Sequence, residues 1–240
     1  EDLLGADFWV DIDKYAERDF LDPVQANSDI RIPNHVVRVG DRFGYDYTSN
    51  INTADVFGLL EQKGRKIDGF AGIFLSGTTF WRTGNMQNGK FPDHSLGDSP
   101  KQQFTNFGLK GGLEYKITGR HFLVGNAQYM TRAPFFRDVY ISARTRDQVV
   151  DNLQSETIFG GDISYIFRGP VLQLRLTGYY TEFRDETWAR SFYHEDLRSF
   201  VNYIMVGVDK VHAGMEFGLE ANPTPTVSLT AVAAIGDYLY

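Results

Sequence analysis

The chain has 240 residues, enough for one large domain or two small ones, and its 15% aromatic content with 24 glycines suits strands, bulges and turns. Its 24 basic against 31 acidic side chains give a net charge of -7, which leaves no basic footprint for a nucleic-acid partner. Cysteine is absent, so a disulfide scaffold and thiolate metal sites are excluded.

The opening stretch, EDLLGADFWVDIDKYAERD, lacks the basic n-region and apolar h-region of a signal peptide. Its acidic residues Asp11, Asp13, Glu17, Asp19 and Asp22 lack the spacing and central glycine of a calcium loop. Residues 1–35 are therefore expected to form an irregular lead-in, with a short amphipathic helix or ordered loop over 9–22. The first strand is expected in VVRVGDRFGYDY (36–47), followed by a brief connection at TSNIN near position 50. The next is KIDGFAGIFLSGTTFW (66–81).

After position 100 the alternation is clearer. In FTNFGLKGGLEYKIT, Phe107, Leu109, Leu113, Tyr115 and Ile117 fall on one face, against Asn106, Lys110, Glu114 and Lys116. FLVGNAQYM follows His121. TIFGGDISYIFR sets Phe159, Ile163, Tyr165 and Phe167 against Asp162, Ser164 and Arg168. In VLQLRLTGYYTEF, Leu172, Leu174, Leu176 and Tyr180 oppose Gln173, Arg175, Thr177 and Thr181. MEFGLEA and VSLTAVAAI complete a set of about nine strands. No apolar run of about 18 residues is present for a membrane helix, but a membrane strand needs only about 9–11 residues with one apolar face.

The connections sort by length. Those at 63–66, 118–120, 168–170 and 222–226 are short, whereas 84–103, 132–155 and 184–202 are long, TSNIN being the exception. In an up-and-down antiparallel sheet this puts every short turn at one end, as in outer-membrane barrels. The fold expected is all-β: antiparallel up-and-down strands forming part of a large transmembrane barrel, with aromatics near the strand ends as an interfacial girdle. A soluble β-sandwich is the rival architecture.

The long connection after position 130 carries a more specific pattern. NAQYMTRAPFFRDVY followed by NLQSETIFGGDISY resembles the signature of TonB-dependent outer-membrane receptors. In them a strand ends in an Arg/Lys-Ala-Pro turn, an aromatic-rich loop follows, and an Asn-x-x-x-Glu segment enters the next strand. The matching residues are Arg132-Ala133-Pro134, Phe135-Phe136, and Asn152 with Glu156. FGYDYTSNINTADVFGLLE and FAGIFLSGTTFWRTGNMQNGKFPD also look like barrel segments of such receptors, those of Bacteroidetes-type bacteria in particular. The resemblance implies that 36–240 are part of a barrel of about 22 strands. Plug domain and TonB-contacting box would lie outside this chain. It further implies the outer membrane of a Gram-negative cell and energy-coupled uptake of a nutrient (siderophore, glycan or peptide). The partners would be TonB, outer-membrane lipid, the small ligand and a surface lipoprotein. The alternative is a passive porin or a surface-binding or adhesion barrel.

Nothing in the residues suggests an enzyme or a bound cofactor. The five histidines include no pair at zinc-ligand spacing, there is no Gly-x-Ser-x-Gly or phosphate-binding glycine loop, and YHEDL (193–197) reads as a solvated charge cluster. Ligand recognition remains. Trp and Arg suit sugar faces or anionic groups by stacking and bidentate bonds, so the candidate binding residues are Trp81 and Arg82 in the first long loop, Arg132 and Phe135 in the second, and Trp188 and Arg190 in the third.

Overall fold

A computed structural model describes residues 28–33, 36, 38–195 and 199–240. Its strands are β1 (Tyr47–Gln62), β2 (Ile67–Gly84), the two-residue β3 (Gly97–Asp98), β4 (Gln102–Lys116), β5 (His121–Arg132), β6 (Glu156–Arg168), β7 (Leu172–His194), β8 (Ser199–Thr224) and β9 (Val227–Leu239). One short helix, α1 (Phe136–Val139), lies between β5 and β6. All strands join one antiparallel sheet in the order β1-β2-β4-β5-β6-β7-β8-β9, with β3 on the end of β2. Each main strand thus pairs with its neighbours in sequence. Among the described residues β1 and β9 are edges, so the sheet is open. The segment over 9–22 and His35 lie outside the described residues.

The register makes the two faces distinct. From Ile163↔Gly125 and Ile163↔Gly178 outward across the sheet, Leu113, Leu123, Tyr165, Leu176 and Phe217 share one face with Ile163. We call it the outer face. It is exposed, Leu113 by 62% and Ile163 by 57%. Aromatics border it at both ends: Phe107 with Tyr129 and Phe159 with Tyr180 near the long loops, and His121 with Tyr165 and Phe167 near the short turns. From Phe107 to Tyr115 the band runs about 26 Å along β4, at 3.3 Å per residue, the height a barrel's apolar belt needs. An apolar surface of this extent is costly in water and suited to lipid.

The inner face is polar and partly covered. Ser164 and Thr177 are buried and joined by a 2.8 Å bond between hydroxyls, and Arg175 reaches both. Asn126 donates to Asp162 at 3.0 Å. The segment between β5 and β6 folds over this face, where Phe80, Val139 and Tyr140 form a small core with Phe104 and Phe136 around them.

Two expected elements are corrected. Of the strand expected at 36–47, the described residues before Tyr47 form no strand, and TSNIN is not a turn but lies inside β1. Gly40 and Gly44 at φ 91° and 74° interrupt any extended run before Tyr47. The polar residues that resemble a turn are side chains on a paired strand, with Asn50 donating to Thr83 at 2.9 Å. The long loop expected at 184–202 is likewise strand: β7 continues to His194 and β8 begins at Ser199. The ribbon of these two strands stands beyond β6 and β9, whose pairing ends at Thr157↔Arg184 and Val211↔Leu239. The long connections 84–103 and 132–155 and the four short turns fall where expected.

Candidate functional site

At the long-loop end, two loops are tied onto the sheet through Arg82. It is 1% exposed, with Nε donating to the Ala143 carbonyl at 2.6 Å and Nη1 to the Ser95 carbonyl at 2.8 Å. Its backbone N–H donates to the Ser99 hydroxyl at 3.0 Å, and that hydroxyl lies 2.8 Å from the Tyr140 hydroxyl. Burial pushes the Tyr140 phenol above its ordinary value, opposed in part by the bond to Ser99. Gly84 lets the loop cross the strand end, because a Cβ there would stand 1.7 Å from the Ser95 carbonyl oxygen. The Asp147 N–H donates to the His94 carbonyl at 2.7 Å, which locks one loop to the other. Before β1, the Arg31 guanidinium holds the Asp29 carboxyl below the usual carboxylate range and donates to the Asn85 carbonyl at 2.6 Å.

A strip of opposite charges runs across the inner face below these loops. Arg132 pairs with Glu156, and Lys210 pairs with Glu186 at 2.9 Å. Glu156 and Glu186 are both buried and lie within hydrogen-bonding reach of each other. Aromatic rings cap the cations: Arg132 stands 4.7 Å over Phe135, Arg190 4.8 Å over Trp188, and Lys210 4.2 Å over Phe183. Trp188 donates to Glu186 at 3.2 Å and meets Tyr240 edge-on. A backbone irregularity creates half of this strip. Asp185 has φ 59°, the β7–β8 register shifts on either side of Glu186, and Gly207 opposite has φ 71°. Odd residues of β7 face inward up to Phe183, and even ones from Glu186 on.

Beside the strip, the inner face of β1, β2, β4 and β5 borders a partly open cavity of about 490 Å³, exposed on its β1 side. Its roof is Ala133-Pro134-Phe135-Phe136, the segment after β5. The walls are rungs of paired residues. Asp55, Ser76 and Asn106 form one, Thr53 and Thr78 the next, with Phe57 and Phe74 on the far side of the first and Ile51 and Phe80 beyond the second.

Four of the six candidate residues therefore come together. Arg132 and Phe135 are joined by the Glu156–Glu186 contact to Trp188 and Arg190. The other two do not. Trp81 is on the outer face, pairing with Asn50, and packs under Lys101 at 4.5 Å. Arg82 is enclosed by loop carbonyls. Glu186 was missed because only the bulge aims it inward, and Lys210 because the strand read at MEFGLEA extends back through it; Asn106 was visible only as a member of a polar strand face, and Asp55 lay in a stretch not read as a strand.

No protein-family model and no curated protein sequence matches the chain. In fold, the sheet is similar to the barrels of TonB-dependent receptors. The copper transporter OprC superposes with a TM-score of 0.62 at 14% identity over 79% of this chain. The ferric-catecholate import receptor Fiu from E. coli K12 gives 0.51 at 14% identity over 80%. The chain spans 30% and 29% of those two structures.

Proposed function

We propose that this chain is a segment of an outer-membrane receptor of a Gram-negative cell that takes up a nutrient with energy supplied through TonB. Residues 36–240 are barrel wall and 1–35 a lead-in, and the plug and TonB contact belong to parts outside the 240 residues. The observation that carries this reading is the exposed apolar outer face with aromatics at both borders, on a sheet whose long loops gather at one end. Similarity in fold to OprC and Fiu supports it. A receptor is favoured over a passive porin by the 133–155 segment, which lies across the inner face and closes off a free path along it. Capture and release, rather than diffusion, is the work such an obstructed wall does. Outer-membrane lipid, TonB, a small nutrient and a surface lipoprotein are the partners, and no catalysis is involved.

The test uses the intact protein in its native cells. It should fractionate with the outer membrane, resist extraction without detergent, and retain the periplasmic domain of TonB in a pull-down from detergent micelles. Recovery in the soluble fraction would end the barrel reading. An outer-membrane protein that does not retain TonB would be a passive or adhesive barrel.

A further inference from the structure

We infer that the rim formed by the short turns is a docking surface for anionic phospholipid headgroups in the leaflet at that end of the sheet. Its contact cations are Arg65, Lys66 and Arg120. The inference deepens the membrane reading of the outer face and rests on it.

The first observation is how charge is divided between the two ends. The long connections are balanced, with two lysines and two aspartates in 85–101 and three arginines and three aspartates in 133–155. The four short connections, 63–66, 118–120, 168–170 and 222–226, hold five basic side chains and no acidic one. They do so in a chain whose net charge is -7. Positive charge is thus gathered at one end of the sheet, against the sign of the whole.

The second observation is that this charge is not neutralised where it stands. Asp68, beside the first turn, is taken up by the turn's own frame: it accepts from the Gly64 N–H at 2.9 Å and from Lys116 at 2.7 Å. Lys63 acts on the same carboxylate through its charge, and Arg168 stands 4.8 Å over the Phe122 ring. The other three are exposed, and among the described residues their side chains have no ion-pair or ring partner. Their backbones are nonetheless tied to the next strand. The Lys66 carbonyl accepts from the Lys116 N–H and the Arg120 carbonyl from the Arg168 N–H, both at 2.8 Å. The turns at 63–66 and 118–120 therefore sit in order along the sheet, two strand widths or about 9.6 Å apart.

The third observation chooses the partner. The acidic residues within four positions of these turns are Glu61, Asp68, Glu114 and Glu220, and the register puts all four on the inner face. The outer face there carries Ile67 paired with Tyr115, 53% and 44% exposed, with Lys66 the next residue. An anion arriving from the lipid side meets cations and no carboxylate, whereas an acidic peptide arriving along the inner face meets like charges as well. Lysine and arginine stems lie along apolar surface and carry their charge to headgroup level. Cations so placed are drawn to an anionic leaflet.

The intact protein is reconstituted in phosphatidylcholine vesicles and carries a fluorophore at Tyr115→Cys, or at Phe107→Cys at the other end of the same strand. A minor fraction of the lipid has brominated chains, as phosphatidylglycerol or as phosphatidylcholine, and quenching reports which lipid lies beside the label. Phosphatidylglycerol should be preferred at Tyr115→Cys, and neither lipid at Phe107→Cys. Each of Arg65→Gln, Lys66→Gln and Arg120→Gln should lower the preference by up to about fivefold, while Arg65→Lys with Arg120→Lys keeps it. Salt at about 1 M, where screening acts within about 3 Å, should abolish it. Heat-modifiable migration checks that each variant is folded, and the salt dependence of the parent decides if the glutamine variants fail to assemble. Equal quenching by the two lipids at Tyr115→Cys, or a preference as strong at Phe107→Cys, would overturn the rim site. So would a preference unmoved by salt, or one lost to inorganic phosphate at constant ionic strength, which would mark a site for soluble anions. Equal quenching leaves the membrane reading standing. A label quenched by neither lipid would show that the outer face does not meet lipid, and both readings would fall.

Discussion

Arg82 shows why a guanidinium near a loop is not by itself a ligand contact. Its planar fork bonds two carbonyls on different loops, and those bonds are buried from water. Arg82→Met keeps the length and removes the donors. It should loosen both loops at a cost of about 1.5–3 kcal/mol, seen as faster proteolysis within 85–101 and 133–155 while strand content is unchanged. Tyr140 should report the same docking through pH. Its folded pKa is raised by burial, so the undocked tyrosine ionises first, near pH 10. Docking is therefore fully stable below about pH 10 and weakens as pH rises from there through the folded value. Absorbance titration at 295 nm should show a phenol ionising late that Tyr140→Phe removes. A titration identical to the parent's would mean that the tyrosine is not enclosed.

At the scale of elements, the bulge at Asp185 decides which side chains enter the inner face. Asp185 is in the left-handed region and its carboxylate accepts from Gln154 at 2.8 Å. Asp185→Val puts a β-branched side chain where such a residue pays about 1–2 kcal/mol. The ribbon beyond it should become more mobile, measured by a spin label at Ser191, and Trp188 fluorescence should shift as its contact with Glu186 is lost. An unchanged label would show that the bulge does not set the ribbon's position. This element also marks the limit of what alternation could reveal. Short turns were legible because Gly64, Gly119 and Pro225 break strands for reasons local to themselves. β1 was not, since Ser49, Asn50 and Asn52 are turn formers in isolation and become strand residues only when β2 lies alongside. The change of parity after Phe183 hides Glu186 in the same way: a sequence can show two faces, but not where a chain exchanges them.

For the whole molecule, the sharpest property is the separation of a bare apolar face from a hydrogen-bonded inner one. Leu174 lies on the outer face between Phe167 and Leu219, and its sequence neighbour Arg175 reaches Thr177 on the inner one. Leu174→Arg should cost roughly 2–4 kcal/mol if assembled in a bilayer, measured by urea unfolding in lipid vesicles, whereas Gln173→Arg should cost much less. Equal costs at the two positions would mean that both faces meet water.

Pairing between sequence neighbours has a further consequence, for how such a wall is put together. Each interface closes a loop no longer than the connection between adjacent strands, and loop-closure entropy grows slowly with that length. A chain built so can add one hairpin at a time, with no long-range pairing to wait for. The longest interface, β7 against β8, joins strands of 23 and 26 residues through the short 195–198 link, so it has the most bonds to gain for the least entropy lost. It should order first, with β6 and β9 zipping on at either side. Amide protection during assembly into vesicles should then appear in β7 and β8 before β1 and β2, and arise last where the edge strands await neighbours.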